Sequence, residues 1–398
     1  MNALTYGLFG TGVMGQRHIK GMGKLHAAGL MQFQLAGVCD LLPDSANRAA
    51  DLAQELLGHR PQVFTTFAEM NAAIDLGGIS VTTMPEAHVD LGIEAIRAGV
   101  PVMVEKPIAL TTREGRRLVD AARAAGVTLA VAENYRRDPM NRLAKALLDA
   151  GAIGAPFLAV QASSGSGENV VITPWRHLKR RCGIVVDMGV HYTDILEYLL
   201  GQIESVQGYN AVVDKQRVGN DGKRYPADAE DLSAGAARFK SGAIANWLLN
   251  MAGRGESHFQ RAVYGTGGSM ALPGDRNGNP IRLTVRRAGR DVAVSEAEQL
   301  ALVPDFKLHP TTAALFGGER LSHYNLPFAD IDANLLAIEY DDFVDAVIHK
   351  REPEVTGEQG LRSLALVYGF LESERAGCAI RDEDLLSCKV HGYQDELV

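Results

Sequence analysis

Cysteine pairs, long apolar runs and an excess of positive charge are all missing from this sequence. Four of its 398 residues are cysteines, and none belongs to a C-x-x-C pair. This argues against a disulfide framework or structural zinc site and predicts a reducing, cytoplasmic location. No apolar run approaches the length of a membrane span, and a strand-like pattern begins almost at once, so we expect neither a membrane segment nor a signal peptide. Because 48 acidic side chains outnumber 40 basic ones, we also expect no nucleic-acid partner.

The residues that are present describe an ordinary globular chain with room for two domains. Hydrophobic residues make up 46% and charged residues 22% of the chain, and 398 residues exceed what one compact core holds. Through residues 1–134, strand-like apolar runs alternate with helical stretches, which predicts a parallel, doubly wound α/β sheet. Residues 135–398 show strand-like runs joined by turns, which predicts an α+β domain with a mainly antiparallel open sheet.

A glycine turn follows the first strand-like run, Leu4–Phe9. Glycines spaced G-x-G-x-x-G between a strand and a helix are typical of a dinucleotide-binding turn. The first permits the tight turn, the second lets the backbone approach a pyrophosphate, and the third lets helix and strand pack closely. The helix offers free N–H groups and its positive dipole end to the phosphates, and a structural turn without a ligand is the alternative. The turn comprises Gly10, Gly12, Val13, Met14 and Gly15.

The position of Asp40 predicts which dinucleotide binds. Asp40 follows Gly15 by 25 residues, at the end of the second strand-like run. A carboxylate there accepts hydrogen bonds from the adenosine ribose and repels a 2′-phosphate. The next residues, Leu41 to Pro43, supply no arginine that could bind such a phosphate. We therefore predict NAD rather than NADP.

Further motifs along nearly the whole chain resemble the Gfo/Idh/MocA oxidoreductases, the family of glucose–fructose oxidoreductase and inositol dehydrogenase. Besides the glycine turn, they are Pro85 with His88, Glu105-Lys106-Pro107, Asn134-Tyr135-Arg136, the D-x-x-x-H element from Asp187 to His191, and Val355-Thr356-Gly357-Glu358. The resemblance implies a Rossmann NAD-binding domain and a second domain whose open sheet face forms a homodimer or homotetramer. It implies cofactor contacts by Pro85, His88, Glu105, Lys106, Asn134, Trp175 and Arg176. It implies substrate contacts by Lys106, Tyr135, Arg136, His177, Lys179, Asp187 and His191.

Lys106 is also expected near the reaction on grounds of its position. It lies just after a parallel strand, at the edge where open α/β sheets bind ligands. Pro107 fixes the local backbone, and a cis Lys106–Pro107 bond is one way to aim the lysine. The alternative is an exposed, solvated lysine.

Asp187 and His191 are four residues apart in a helical stretch that ends at Gly201, so they share one helix face. A neutral histidine can accept a hydroxyl proton while the neighbouring carbon gives hydride to nicotinamide, and a carboxylate one turn away can orient it. We predict His191 as the acid/base and Asp187 as its orienting partner. A polar surface stripe is one alternative, and a metal site that adds Asp194 is another. Since hydride transfer to nicotinamide needs no metal, we predict none.

A basic segment precedes that helix. Four cations lie within six residues, namely Arg176, Lys179, Arg180 and Arg181. Such a cluster could bind a carboxylate, sulfonate or phosphate on a sugar. A solvated loop or a subunit contact explains it equally well.

These features together predict an NAD-dependent oxidoreductase that takes hydride from a secondary hydroxyl of a sugar, inositol or glycoside. Lys106 would hold and polarise the substrate oxygen. The same fold and cofactor serve glycosidases that oxidise the sugar transiently, eliminate the aglycone, add water and reduce again, and the sequence does not separate the two. A non-catalytic, cofactor-binding regulator is a third class, against which the presence of both Lys106 and His191 argues. We predict that residues 287–330 form a loop-rich insertion, to which the sequence assigns no function.

Overall fold

Strands and helices form where the sequence has buried apolar runs and capping residues. A computed structural model of the chain describes residues 3–397. The strands are β1 Leu4–Phe9, β2 Phe33–Cys39, β3 Gln62–Phe64, β4 Gly78–Val81, β5 Val102–Glu105, β6 Leu129–Ala132, β7 Pro156–Ser166, β8 Ile203–Ala211, β9 Gln216–Val218, β10 Arg224–Pro226, β11 Leu232–Phe239, β12 Ile244–Gly253, β13 His258–Gly265, β14 Gly268–Leu272, β15 Arg282–Arg287, β16 Arg290–Val294 and β17 Ile380–Arg381. The helices are α1 Val13–Ala27, α2 Pro43–Leu57, α3 Phe67–Ala73, α4 Pro85–Arg97, α5 Thr112–Ala125, α6 Pro139–Asp149, α7 Ile184–Leu200, α8 Glu296–Leu302, α9 Pro310–Phe316, α10 Phe328–His349, α11 Gly357–Ala376 and α12 Asp382–Leu386.

The chain forms two compact units, which are not simple halves of the sequence. The first contains the residues up to Arg137 together with His309–Glu319 and Leu326–Leu361. The second contains Asp138–Leu308, Arg320–Asn325 and the residues from Arg362 onward. The sequence analysis assigned every residue beyond 134 to one second domain, so two later segments lie in the first unit against that expectation.

The first unit is built on a parallel sheet with strand order β3-β2-β1-β4-β5-β6. Strands buried on both faces require continuous apolar runs, which explains why the sequence pattern located them. The carboxyl ends of parallel strands meet at one edge. That edge carries the glycine turn after β1, Asp40 after β2, Lys106 after β5 and Asn134 after β6.

Helix α10 belongs to the first unit, where it covers apolar sheet surface that would otherwise be exposed to water. The connections from β1 to β3 run in one direction across the sheet and those from β4 to β6 in the other, so right-handed crossovers place their helices on opposite faces. Helix α10 covers the remaining area beside α1, where Tyr340 and Phe343 share a buried cluster with Tyr6 and Met103. The two helices touch closely, since a Cβ at Gly21 would lie 2.8 Å from the Cβ of Leu336.

The second unit contains a nine-stranded, mostly antiparallel sheet of order β16-β15-β14-β13-β7-β12-β11-β8-β17. Its parallel pair is β7 with β12. Helix α7 packs against this sheet through a glycine, because a Cβ at Gly189 would lie 3.3 Å from the ring of Trp247. Helices α6 and α7 share a buried apolar cluster with β13 and β14 through residues such as Leu143, Ile195 and Val263.

The segment 287–330 has more regular structure than the loop-rich insertion that we expected. Strand β16 pairs with β15, and α8 begins at a capping box formed by Ser295 and Glu298. Near the end of the segment, the Tyr324 hydroxyl donates a hydrogen bond of 2.6 Å to Asp138. Helix α9 belongs to the first unit, where Asn334 of α10 donates a hydrogen bond to the Leu315 carbonyl.

None of the helices within residues 3–397 is both long enough and apolar enough to cross a membrane.

Candidate functional site

The glycine turn after β1 excludes side chains at two of its three glycines. Gly10 has a φ of +94°, and a Cβ there would lie 2.7 Å from the backbone nitrogen of Thr83. A Cβ at Gly15 would lie 2.1 Å from the Gly10 carbonyl oxygen. At Gly12, by contrast, a Cβ would meet no described atom within 4 Å. Gly10 and Gly15 therefore serve the turn and the helix–strand packing, whereas Gly12 leaves its side open to a pyrophosphate.

The N-terminus of α1 presents backbone donors that an anion can use. In the described part of the chain no side chain caps this helix, and its first turn holds no acidic residue. The first backbone bond runs from the Gln16 N–H to the Gly12 carbonyl. The amide groups of Val13 and Met14 precede that bond, so they have no acceptor within the helix. Together with the helix dipole they suit a phosphate.

Asp40 ties the glycine turn to the end of β2. Its Oδ2 accepts hydrogen bonds from the Thr11 backbone N–H at 2.7 Å and from the Thr11 hydroxyl at 3.0 Å. Its Oδ1 accepts from the Leu42 N–H at 3.0 Å. A ribose at this carboxylate would therefore share it with Thr11, a contact that the sequence analysis missed.

Exposed apolar side chains follow three neighbouring strands at the sheet edge that carries Asp40. Val13, Leu41 and Met84 are all exposed, and they follow the carboxyl ends of β1, β2 and β4, which are neighbours in the sheet. Hydrophobic side chains exposed together at this edge suit the flat face of a nucleobase. The apolar pair Leu41-Leu42 directly after Asp40 was the sequence signal for this surface.

Two buried imidazoles hold the segment Glu105–Pro107, whose Lys106–Pro107 peptide bond is cis. The His18 Nε2 lies 2.8 Å from Glu105 Oε1, and the His88 Nδ1 lies 2.9 Å from the Pro107 carbonyl oxygen. Burial lowers the pKa of His88. Burial opposes ionisation of Glu105, but the hydrogen bond from His18 and the nearby positive charges of Lys106 and Arg17 favour it, so the pKa of Glu105 lies below its ordinary value. Lys106, half-buried, lies between these two anchored residues.

Asn134 provides an unused acceptor at the same edge of the sheet. The side chain is buried, and its Oδ1 has no hydrogen-bond partner within residues 3–397. Buried amide oxygens are nearly always bonded, so this one fits a donor supplied by a ligand. Tyr135 and Arg136, in the short 3-10 helix that follows, are also buried, and the Tyr135 N–H donates to the Glu133 carboxylate. Pro85, which we also predicted to contact the cofactor, is the first residue of α4 and is buried.

In the second unit, α7 carries Asp187 and His191 as buried residues. They are 2% and 7% exposed, which rules out the alternative of a polar surface stripe. The Arg176 Nε donates a hydrogen bond of 3.0 Å to Asp187 Oδ2, and the guanidinium lies over the Trp175 ring. The structure thus joins the basic segment to Asp187 through a buried ion pair.

Lys179 and His177 of the basic segment also have partners inside the chain. The Lys179 ammonium contacts Glu396 at 2.6 Å and lies over the Tyr393 ring. Hydrogen bonds from Lys179 and Arg375 lower the pKa of Glu396 to about 2. The His177 Nε2 accepts a hydrogen bond from the Val171 N–H, while burial and the charge of Arg217 lower the pKa of His177 to about 4.

Each unit therefore brings together a different part of the predicted site. The first collects the glycine turn, Asp40, the segment 105–107 and Asn134 around one sheet edge, and these residues fit NAD. The second collects Trp175, Arg176, Asp187 and His191 around the start of α7. Within residues 3–397, no group of three or more His, Cys, Asp or Glu side chains is arranged to hold a metal ion.

Comparison with known proteins agrees with this arrangement. Residues 4–133 match a model described as an oxidoreductase family with an NAD-binding Rossmann fold. Residues 145–380 match the C-terminal alpha/beta domain of the same oxidoreductase family.

Similar proteins cover most of the chain. A 1,5-anhydro-D-fructose reductase of Ensifer adhaerens is 26% identical, over 95% of this chain and 98% of its own. A levoglucosan dehydrogenase of Pseudarthrobacter phenanthrenivorans is 26% identical, over 69% of this chain and 75% of its own. The crystal structure of an NAD binding oxidoreductase from Klebsiella pneumoniae has the same fold, with a TM-score of 0.78, 22% identity, and coverage of 95% of this chain and 99% of that one.

Proposed function

The chain belongs to the Gfo/Idh/MocA oxidoreductase family, and on that premise we propose that it oxidises a secondary hydroxyl of a sugar or polyol with NAD. The observation that carries this proposal is that Asp187 and His191 are both buried, four residues apart on α7, in a chain whose first unit has residues that fit NAD. Curated relatives that act on levoglucosan and 1,5-anhydro-D-fructose support the substrate class.

Each residue of the mechanism has one role. When bound, NAD supplies the hydride acceptor, held by the glycine turn, Asp40 and Asn134. Lys106 donates a hydrogen bond to the substrate oxygen and stabilises the negative charge that develops there. His191 accepts the proton of the substrate hydroxyl as hydride leaves the carbon that bears this hydroxyl. The buried carboxylate of Asp187 stabilises the positive charge that His191 then carries.

Arg176 acts in this scheme as the partner of Asp187. An isolated carboxylate in a buried position is strongly disfavoured. The Arg176 guanidinium supplies the opposite charge to Asp187. The stacked Trp175 ring and the Thr173 hydroxyl, 2.6 Å from the Arg176 Nη1, fix the orientation of that guanidinium. The cofactor contact that we predicted for Arg176 stays a prediction beside this role.

A neutral substrate suits the structure better than an anionic one. Two of the four cations in the basic segment, Arg176 and Lys179, already pair with carboxylates of the same chain. His177 is neutral near pH 7, because its pKa is about 4.

The open face of the nine-stranded sheet supports the proposed homodimer or homotetramer. Tyr209 and Ile244 are large, exposed and on one face, as the registers of β8, β11 and β12 show. A second copy of this chain would cover them. Tyr209→Glu should therefore lower the mass measured by light scattering. The cytoplasmic location stays a prediction.

A substrate screen with NAD tests the proposed function. The panel contains myo-inositol, levoglucosan, aldohexoses, uronic acids and chromogenic glycosides, and both NADH and released aglycone are followed. Stoichiometric NADH from a sugar or polyol supports the proposal. Release of aglycone without net NADH would instead identify the oxidoreductive glycosidase, and no reaction with any member would contradict both.

A further inference from the structure

A buried line of hydrogen bonds runs from α10 through α1 to the end of β5. The Tyr340 hydroxyl lies 2.8 Å from the His18 Nδ1, and the His18 Nε2 lies 2.8 Å from Glu105 Oε1. Tyr340 and His18 are both fully buried. The Tyr340 ring stacks on Phe33, with centroids 5.5 Å apart. Neither His18 nor Tyr340 is among the site residues predicted from the sequence.

The direction of each hydrogen bond follows from the groups involved. Burial raises the pKa of Tyr340 far above its ordinary value, so the hydroxyl keeps its hydrogen. Glu105 is a carboxylate and can only accept. An imidazole that accepts at Nδ1 from Tyr340 and donates from Nε2 to Glu105 satisfies all three groups.

The line ends beside the residue that our mechanism places on the substrate oxygen. Glu105 is the last residue of β5 and Lys106 is the next. His88 holds the Pro107 carbonyl on the other side, so the backbone around Lys106 is anchored at both ends. Packing alone does not call for this arrangement, since replacing both partners of a buried hydrogen bond by apolar groups of the same shape can be nearly neutral or stabilising.

We propose that His18 and Tyr340 are positioning residues. They fix the carboxylate of Glu105, and thereby the backbone that aims the Lys106 ammonium. This inference rests on the proposed function, in which Lys106 contacts the substrate.

Three substitutions and one matched control separate positioning from stability. Tyr340→Phe removes only the hydroxyl, His18→Leu removes the whole line, and His18→Gln keeps a donor toward Glu105. The control is Tyr6→Phe, because Tyr6 is equally buried in the same cluster and its hydroxyl bonds Ser80 rather than His18. Tyr6→Phe should therefore lower the melting temperature as much as Tyr340→Phe does.

The kinetic readout is kcat against KM, with the panel member that gives the fastest NADH formation. We expect kcat to fall about 10-fold in Tyr340→Phe and about 100-fold in His18→Leu, with KM and the Kd of NAD within about twofold. His18→Gln should recover about tenfold over His18→Leu, and Tyr6→Phe should keep kcat within about twofold. Equal losses of kcat in Tyr340→Phe and Tyr6→Phe would overturn the proposal.

A second readout needs no substrate. Trace acetylation of the full chain by acetic anhydride, followed by peptide mass spectrometry, gives a rate for each lysine. The rate at Lys106 should change about threefold or more in His18→Leu, while Lys145 on α6 keeps its rate, because only the segment 105–107 has lost its anchor. An unchanged Lys106 rate would overturn the positioning role. A wild-type chain that is inactive on the whole panel would overturn the proposed function, and the acetylation rates would still decide the role of His18.

Discussion

Asp138, the first residue of the second unit, should make the stability of this protein depend on pH. Its carboxylate caps α6 by accepting from the Met140 N–H at 2.8 Å and also accepts from the Tyr324 hydroxyl. Burial raises its pKa from an ordinary 3.8 to about 6. Between pH 3.8 and about pH 6, Asp138 therefore keeps its proton in the folded chain and loses it in the unfolded chain. The free energy of unfolding falls as pH rises through this window, by about 3 kcal/mol in total.

Asp138→Asn removes the charge and keeps both hydrogen bonds. Its amide oxygen still accepts from the Met140 N–H, and its amide nitrogen can donate to the Tyr324 oxygen. Allowing about 1 kcal/mol for the altered contact with Tyr324, we expect the variant to be about 1–2 kcal/mol more stable than the parent at pH 8. That corresponds to a rise in melting temperature of about 2–8 °C at pH 8. At pH 4 the charge penalty of the parent is small and the cost of the altered contact remains, so the variant should melt no higher than the parent.

Scanning calorimetry at pH 4, 5, 6 and 8 measures the difference between variant and parent. Asp44→Asn is the control, because Asp44 lies in the exposed first turn of α2 and should show no gain that grows with pH. A difference that stays constant across the four pH values would refute the reasoning, as would an Asp138→Asn variant that melts lower than the parent at pH 8.

Three further predictions concern the site itself. NAD should bind more tightly than NADP in fluorescence titrations, because Asp40 would face the 2′-phosphate. Asp40→Ala should reduce the difference between the two dissociation constants, and equal affinities in the parent would contradict the prediction. His191→Ala and Lys106→Ala should each lower kcat by about 100-fold or more with little change in the Kd of NAD, and a variant with normal turnover would exclude that residue from the mechanism. Arg176→Met should destabilise the second unit by about 3–5 kcal/mol in thermal melts, because it leaves a buried carboxylate without its partner. Adding Asp187→Asn should restore most of that loss, and if the second change adds to the damage instead, the pair does not couple as described.

The sheet of the first unit could be predicted because each of its strands carries a local signal. A strand buried on both faces must be apolar throughout, and the glycine turn has a fixed spacing after β1. Each of these features is encoded by residues that are close together in the sequence, so a sequence pattern is enough to find it. The structure confirms the predicted doubly wound sheet and the predicted, mainly antiparallel second sheet.

The assignment of α10 to the first unit had no such local signal. The helix is apolar around most of its circumference, so its pattern indicates burial without naming a partner. What decides the partner is the sheet area left uncovered beside α1, which exists only once the strand order is known. The same holds for His18, which looks like one polar residue of an amphipathic helix until α10 brings Tyr340 to it.

The basic segment shows the corresponding limit for charge. Four cations in six residues do indicate that counter-charge must lie nearby, because bringing like charges together is unfavourable. The sequence analysis looked for that charge on a substrate or on another subunit. Two of the cations instead find it on Asp187, 11 residues from Arg176, and on Glu396, 217 residues from Lys179. A charge cluster in a sequence therefore predicts that carboxylates are needed, and only the folded chain decides whose carboxylates they are. For the site, the consequence is that Arg176 pairs with Asp187 of the same chain whether or not the substrate carries a charge.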